Sequence, residues 1–228
     1  MRRRPHRRNL LDGWELQRVR VIYNRIAWFY DVCRPLLTIR RAELDLNSLF
    51  AGRIYPDSRV LELAPGTGVN VKRLFDCAGG FKSYLGIDTS SEMLSRARDK
   101  AGNNTRIQFK LADATDTSGI DGTFDFIVST WFLSHLPCPE VTVGSILELL
   151  RPGGTAVFLF FSRPGNGLAL RLLSWNMRLI QCVPVEAESI CALPYVEAVH
   201  CYRGNTSTLV VFHRPVELGS GHASVTQM

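Results

Sequence analysis

The chain has 228 residues, 46% hydrophobic and 21% charged, a composition that fits one globular domain with short appendages and excludes a largely disordered chain. Its formal net charge is +6, but five arginines (Arg2, Arg3, Arg4, Arg7 and Arg8) lie in the first eight residues and the remainder carries only +1. A near-neutral body excludes a domain-wide nucleic-acid footprint.

The basic head, residues 1–13, reads as a disordered, solvated tail. The alternative is a peripheral contact with an anionic membrane surface, to which each basic side chain adds roughly 1 kcal/mol. Leu10-Leu11 is followed at once by Asp12, so the head has no apolar core of a secretory signal. Over 14–30, Val19, Ile22, Ile26 and Phe29 recur at helical spacing, and Pro35 limits how far that helix runs. A second helix is expected over 36–50. From residue 59 the pattern changes to short apolar strands alternating with helices. Strands are expected at 59–64, 84–87, 107–111, 124–129 and 155–161. Helices follow after Gly68, over about 91–101 with Ser or Thr as cap, and over 139–150, closed by Arg151-Pro-Gly-Gly154.

This alternation predicts a three-layer α/β fold with a mostly parallel, Rossmann-like sheet. A helix is expected over 166–181. Two last strands, 196–202 and 207–213, are joined by only Arg203-Gly-Asn-Thr206. That link is too short for a crossover, so they form a terminal antiparallel hairpin and complete seven strands. The domain spans 14–214, and residues 215–228 read as a loose tail. The longest apolar run, Ala156 to Phe161, is far short of the ~20 residues that cross a bilayer. Six scattered cysteines form no Cys-x-x-Cys and no zinc-like cluster. They read as reduced thiols of a cytoplasmic protein without a metal site.

In an open α/β sheet ligands bind beyond the carboxyl ends of the strands, and four features converge there. Leu63-Ala64-Pro65-Gly66-Thr67-Gly68 joins the first strand to a helix, and its glycines allow close backbone approach. Asp88 ends the second strand, 20 residues after Gly68. It can accept from both hydroxyls of a ribose or cap the next helix. Asp113, beside Ala112 and Ala114, can accept from an adenine amine or form a turn. Glu62 stands inside an apolar strand, where a carboxylate needs a partner, either a ligand ammonium or an internal hydrogen bond.

Together these segments resemble the class I S-adenosylmethionine-dependent methyltransferases over about residues 20–214. Val60-Leu-Glu-Leu-Ala-Pro-Gly-Thr-Gly68 stands at that family's glycine-rich motif. Tyr84-Leu-Gly-Ile-Asp-Thr-Ser-Ser-Glu-Met-Leu94, Leu111-Ala-Asp-Ala114 and Phe124-Asp-Phe-Ile-Val-Ser129 match its next three, and Leu149-Leu-Arg-Pro-Gly-Gly154 precedes a strand as is typical there. Ala64-Pro65 departs from the family's usual pair. Tyr23-Asn-Arg-Ile-Ala-Trp-Phe-Tyr-Asp31 is similar to a segment of the quinone and lipid methyltransferase branch that covers the cofactor.

The resemblance implies S-adenosyl-L-methionine as cofactor, held by Tyr30, Glu62, Ala64, Gly66, Gly68, Asp88, Thr89, Met93, Asp113, Ala114, Ser129 and Thr130. It implies a small, hydrophobic or lipid-like acceptor of quinone, lipid or natural-product type, met by Trp28, Trp131 and Phe132. His135 is the candidate base, since imidazole titrates near neutrality. A phospholipid N-methyltransferase is the alternative. A non-catalytic module binding S-adenosylmethionine or a nucleotide is a reading of another class, and intact Gly66, Gly68 and Asp88 argue against it.

Overall fold

A computed structural model of the protein describes residues 13–37, 39–163 and 182–216. The arginines of the basic head, the helix expected over 166–181 and the tail from 217 onward lie outside these residues.

Seven strands form one sheet in the order β3-β2-β1-β4-β5-β7-β6. They are β1 (Arg59–Leu63), β2 (Ser83–Asp88), β3 (Ile107–Leu111), β4 (Phe124–Thr130), β5 (Leu150–Phe161), β6 (Val196–Tyr202) and β7 (Ser207–His213). The first five run parallel, and β7 inserts antiparallel between β5 and β6. The central strand β4 is buried along Phe124–Ser129, as a strand covered on both faces must be. Its Asp125 accepts from the Arg59 backbone N–H and pairs with Arg151.

The helices are α1 (Gly13–Leu37), α2 (Arg40–Arg53), α3 (Val69–Cys77), α4 (Ser91–Ala101), α5 (Pro139–Leu147) and α6 (Ala187–Cys191). On one sheet face Leu46 and Phe50 of α2 and Val71 and Leu74 of α3 pack on Val60, Phe126, Val157 and Val211. On the other, Val143 and Ile146 of α5 and Ile190 of α6 pack on Leu61, Ile127, Phe158 and Phe212. The expected three layers therefore enclose two cores, one on each face of the sheet.

Three boundaries differ from the expectation. The second helix, expected over 36–50, runs from Arg40 to Arg53, because α1 continues to Leu37. The fifth helix ends at Leu147, and Arg151-Pro-Gly-Gly154 belongs to β5. Phe124 pairs with Leu150 and Phe126 with Thr155, so the extra residues bulge out of the ladder. Gly153, at φ 79°, takes the left-handed position of that bulge. At the amino end, α1 runs two residues past Pro35 to Leu37. The proline removes one N–H donor and ends the helix within a turn rather than before it.

Candidate functional site

Beyond the carboxyl ends of β1, β2, β3 and β4 lies an open cleft of about 710 Å³, its mouth included. Its floor comes from the strand ends and its roof from α1. A smaller adjoining pocket between α2, α3 and the glycine loop shares Tyr30, Ala64, Gly66, Thr130 and Trp131 with it.

The glycine loop is built by backbone geometry. Ala64 (φ 52°), Gly66 (φ 55°) and Gly68 (φ 76°) all lie in the left-handed region. Ala64 does so with a β-carbon, where glycine would sit without strain. A β-carbon at Gly66 would meet nothing within 4 Å, so this glycine faces open space in the cleft. Gly68 caps α3, and a β-carbon there would come within 2.9 Å of Cα and Cβ of Ala97. Gly68 does not line the cleft; it lets the glycine loop pack on α4.

Asp88 is almost fully buried at the end of β2. Its Oδ2 accepts from Gly66 N–H at 3.0 Å and its Oδ1 from Ser90 N–H at 2.9 Å, so it ties β2 to the glycine loop. Burial pushes its carboxyl up from the ordinary value, against the N–H bonds from Ser90, Gly66 and Thr89. Ser90 is the cap of α4, accepting from Met93 N–H at 3.2 Å. Thr89 and Met93 line the cleft. Asp113 and Ala114 line its far side, and Asp113 Oδ1 accepts from both N–H and Oγ1 of Thr115 at 2.8 Å.

Glu62 does not reach the cleft. It is fully buried beneath the floor, accepting from Tyr84 Oη at 2.6 Å and from Asn70 Nδ2 at 2.7 Å. Its partners are thus internal, and Asn70 extends the chain of contacts to Thr130 Oγ1 at 3.3 Å. Burial raises the Glu62 carboxyl to about 7, although the Tyr84 and Asn70 bonds pull it down. Ser129 is likewise turned into the protein, donating to Leu63 O at 3.1 Å.

The remaining wall is aromatic. Thr130, Trp131, Phe132 and His135 follow β4 and line the cleft with Val19, Arg20, Tyr23 and Tyr30 of α1. Trp131 has φ 67° and lies against Phe161 with ring centroids 4.5 Å apart, a strained backbone held by packing. Tyr23 Oη lies 3.0 Å from His135 Nε2, with the rings edge to face. Cys182 Sγ lies 3.4 Å from the same nitrogen. Burial pushes the Cys182 thiol up to about 12 and the Tyr23 phenol well above its usual value, so both keep their protons at neutrality.

Trp28 is not in the cleft: it is 69% exposed on the outer face of α1. Trp28, Phe29 and Tyr30 are consecutive, and at 100° per residue they cannot all face one side of a helix. Tyr30 turns inward and Trp28 outward. Sequence reasoning also missed Asn70, Tyr84, Tyr23 and Cys182. A buried tyrosine in an apolar strand and a polar residue on the inner face of α3 were the available signals for the first two. Tyr23 lay in the quoted α1 motif, and nothing in the sequence pointed to Cys182.

Further contacts among the described residues fasten α1 over the cleft. Ser90 Oγ bonds Asn24 Oδ1. Asp31 accepts from Thr67 Oγ1 at 2.6 Å and pairs with Lys100 Nζ at 2.6 Å, while Lys100 also reaches Thr67 Oγ1 at 3.1 Å.

Comparison with known proteins agrees with this geometry. A methyltransferase domain family matches residues 60–154. The chain is 28% identical over 170 residues to the ubiquinone/menaquinone biosynthesis C-methyltransferase UbiE of Pseudomonas fluorescens (strain Pf0-1), covering 71% of this chain and 64% of that relative's length. It is 27% identical over 230 residues to the demethylmenaquinone methyltransferase of Clavibacter sepedonicus, covering 90% and 93%. The fold is shared with the N-methyltransferase NodS of Bradyrhizobium japonicum WM9, whose structure holds S-adenosyl-L-homocysteine, at TM-score 0.57, 21% identity and coverage of 77% and 86%. The motif order, the seven-stranded sheet and these likenesses agree in supporting a class I S-adenosylmethionine-dependent methyltransferase.

Proposed function

We propose that the protein transfers the methyl group of S-adenosylmethionine to a small, hydrophobic acceptor of the quinone type, with Asp88 and Gly66 holding the cofactor and His135 serving as base. The observation that carries this reading is one cleft joining two kinds of wall. One side has a ribose-competent carboxylate beside an open glycine; the other is aromatic and ends on an imidazole. The residues fit the cofactor. Gly66 leaves unfilled space, Asp88 offers carboxylate oxygens that can accept further bonds, and Ala64 and Ala114 are small enough to admit flat rings. Asp113 would receive the adenine amine, and Thr130 the methionine end, steadied through Asn70 by Glu62. Tyr30 and Met93 supply apolar contact.

When bound, the cofactor supplies an electrophilic methyl on a sulfonium. The chain's own part is to bind, exclude water and align the acceptor. Tyr23, Tyr30, Trp131 and Phe132 offer flat apolar faces to a ring. An acceptor carbon or oxygen becomes nucleophilic when a neighbouring hydroxyl loses its proton, and His135 is the group in the aromatic wall suited to take it. Tyr23 Oη on Nε2 fixes the imidazole orientation, and Arg20 at the rim favours a developing oxyanion. The names of the two quinone methyltransferase relatives support this acceptor class.

The test is turnover on a reduced demethylated naphthoquinol and, in parallel, on phosphatidylethanolamine. Methyl transfer to the quinol alone supports the reading. Transfer to the phospholipid amine alone would replace it with an N-methyltransferase that uses the aromatic wall as a cation site.

A further inference from the structure

Cys182 is only 6% exposed, and its sulfur lies 3.4 Å from Nε2 and 3.7 Å from Nδ1 of His135. In the ring plane, a sulfur that near to both nitrogens would overlap Cε1 between them. The thiol therefore stands over the ring face, at its Nδ1–Cε1–Nε2 edge. Backbone bonds fix it there. Val183 N–H donates to Ser134 O at 2.7 Å. Val185 N–H donates to Phe161 O at 2.9 Å, and Val185 O accepts from Arg163 N–H at 3.0 Å. Residues 182–185 are thus clipped to the segment that carries His135 and to the end of β5.

A cysteine against a histidine can be a pair of metal ligands or an activated nucleophile. Neither fits here. Among the described residues no group of three or more His, Cys, Asp or Glu side chains is placed to hold a metal ion. Burial pushes the thiol up to about 12, so it carries no charge at neutrality. It is an uncharged, polarisable group covering the edge that holds both ring nitrogens. We propose that Cys182 is a positioning residue for His135: its sulfur fixes the tilt of the imidazole and keeps water off the Nδ1–Cε1–Nε2 edge. Water there would hydrate the imidazolium. Its exclusion favours the neutral ring, the form able to take a proton. Tyr23 holds the same ring at Nε2, so phenol and thiol together set its angle to the cleft. The catalytic meaning rests on His135 as base; the contact and its test do not.

The experiment follows the Hε1 resonance of His135 by NMR through a pH titration of the full chain, the resonance being assigned by its absence from His135→Ala. No acceptor, cofactor or turnover enters. Cys182→Ala opens space for water above the ring, and the titration midpoint is expected to rise by at least about 0.5 pH. Cys182→Val restores an apolar cover and is expected to return the midpoint toward that of the parent chain. Arg20, Tyr23, Tyr30, Asp88 and Asp113, the other charged or titratable groups lining the cleft, are the same in all three proteins, so a difference belongs to residue 182. Thermal melts and S-adenosylmethionine affinity establish that each variant is folded. A midpoint unmoved or lowered in Cys182→Ala, or raised equally in Cys182→Val, would overturn the proposal. In turnover, the acid limb of the kcat/KM profile should move with the midpoint. A moved midpoint beside an unchanged limb would uphold the contact and remove His135 as base.

Discussion

Gly66 and Gly68 stand two residues apart and have opposite obligations. Gly66→Ala adds a β-carbon to open space, at a left-handed cost of about 1–2 kcal/mol. The fold is expected to survive while S-adenosylmethionine affinity falls at least about tenfold, since the added methyl occupies ligand space. Gly68→Ala drives a methyl into the backbone of Ala97. It is expected to cost a further 1–3 kcal/mol, or about 2–4 °C per kcal/mol in melting temperature for a domain of this size. Calorimetry and thermal melts on the pair separate the roles. Asp88→Ala removes charge-assisted bonds worth roughly 1.5–3 kcal/mol each, and titration with S-adenosylmethionine is expected to show no measurable binding. Because burial raises the Asp88 carboxyl, cofactor affinity should begin to fall at a higher pH than for an ordinary aspartate as the solution is acidified.

Glu62 makes a separate prediction about stability. Its carboxyl is raised from 4.5 to about 7 in the folded chain, so the folded state binds more protons than the unfolded state between those values. Stability should therefore fall as pH rises through that window, by roughly 3 kcal/mol at most, and level off above it. Urea midpoints measured from pH 4.5 to 8 should show this slope in the parent chain and a reduced slope in Glu62→Gln. At the aromatic wall, His135→Ala is expected to lower kcat by about 10²–10⁴-fold and to spare cofactor affinity. Tyr23→Phe should lower kcat less and shift the pH profile, because it removes only the bond that orients the ring. An unchanged profile in both variants would remove the pair from the chemistry.

At the scale of elements, α1 is a roof over the cleft. Lys100, Asp31 and Thr67 tie it to the glycine loop, and half-exposed pairs of this kind add little to stability. Thr67→Val with Lys100→Ala should leave the melting temperature nearly unchanged but speed dissociation of S-adenosylmethionine several-fold, as stopped-flow displacement would record. The strands β1, β4 and β7 were legible in the sequence as short apolar runs, and β3 by its alternation of apolar and polar residues. Alternation with helices then fixed a parallel sheet, and four intervening residues fixed the final hairpin. The Arg151–Gly154 bulge was not legible, since Pro-Gly-Gly reads locally as a turn and only pairing with β4 makes it strand. The facing of Trp28 was obscured in the same way. Helical periodicity says that neighbouring aromatics diverge, but only packing of α1 on α4 decides which one turns inward.

For the whole molecule, the residues proposed to hold the cofactor follow a simpler rule than those proposed to meet the acceptor. Gly66, Asp88 and Asp113 line the cleft at or just beyond strand ends, positions that spacing along the chain reveals. The aromatic wall brings together Tyr23 of α1 and His135 after β4, 112 residues apart, with Cys182 a further 47 along the chain, and no local pattern announces it. Ligand linkage ties the cleft to global stability. At a hundredfold excess over Kd, S-adenosylmethionine should stabilise the protein by about 2.7 kcal/mol, and Asp88→Ala should abolish that rise in melting temperature.

The central claim, methyl transfer to a hydrophobic ring acceptor in this cleft, is tested most directly with methyl-labelled S-adenosylmethionine and a reduced demethylated naphthoquinol presented in detergent. The account predicts label in the organic extract, bound to the quinol, and its loss in His135→Ala and Asp88→Ala alike. Label that stays on the cofactor, or moves only to protein, nucleic acid or a phospholipid amine, would contradict it.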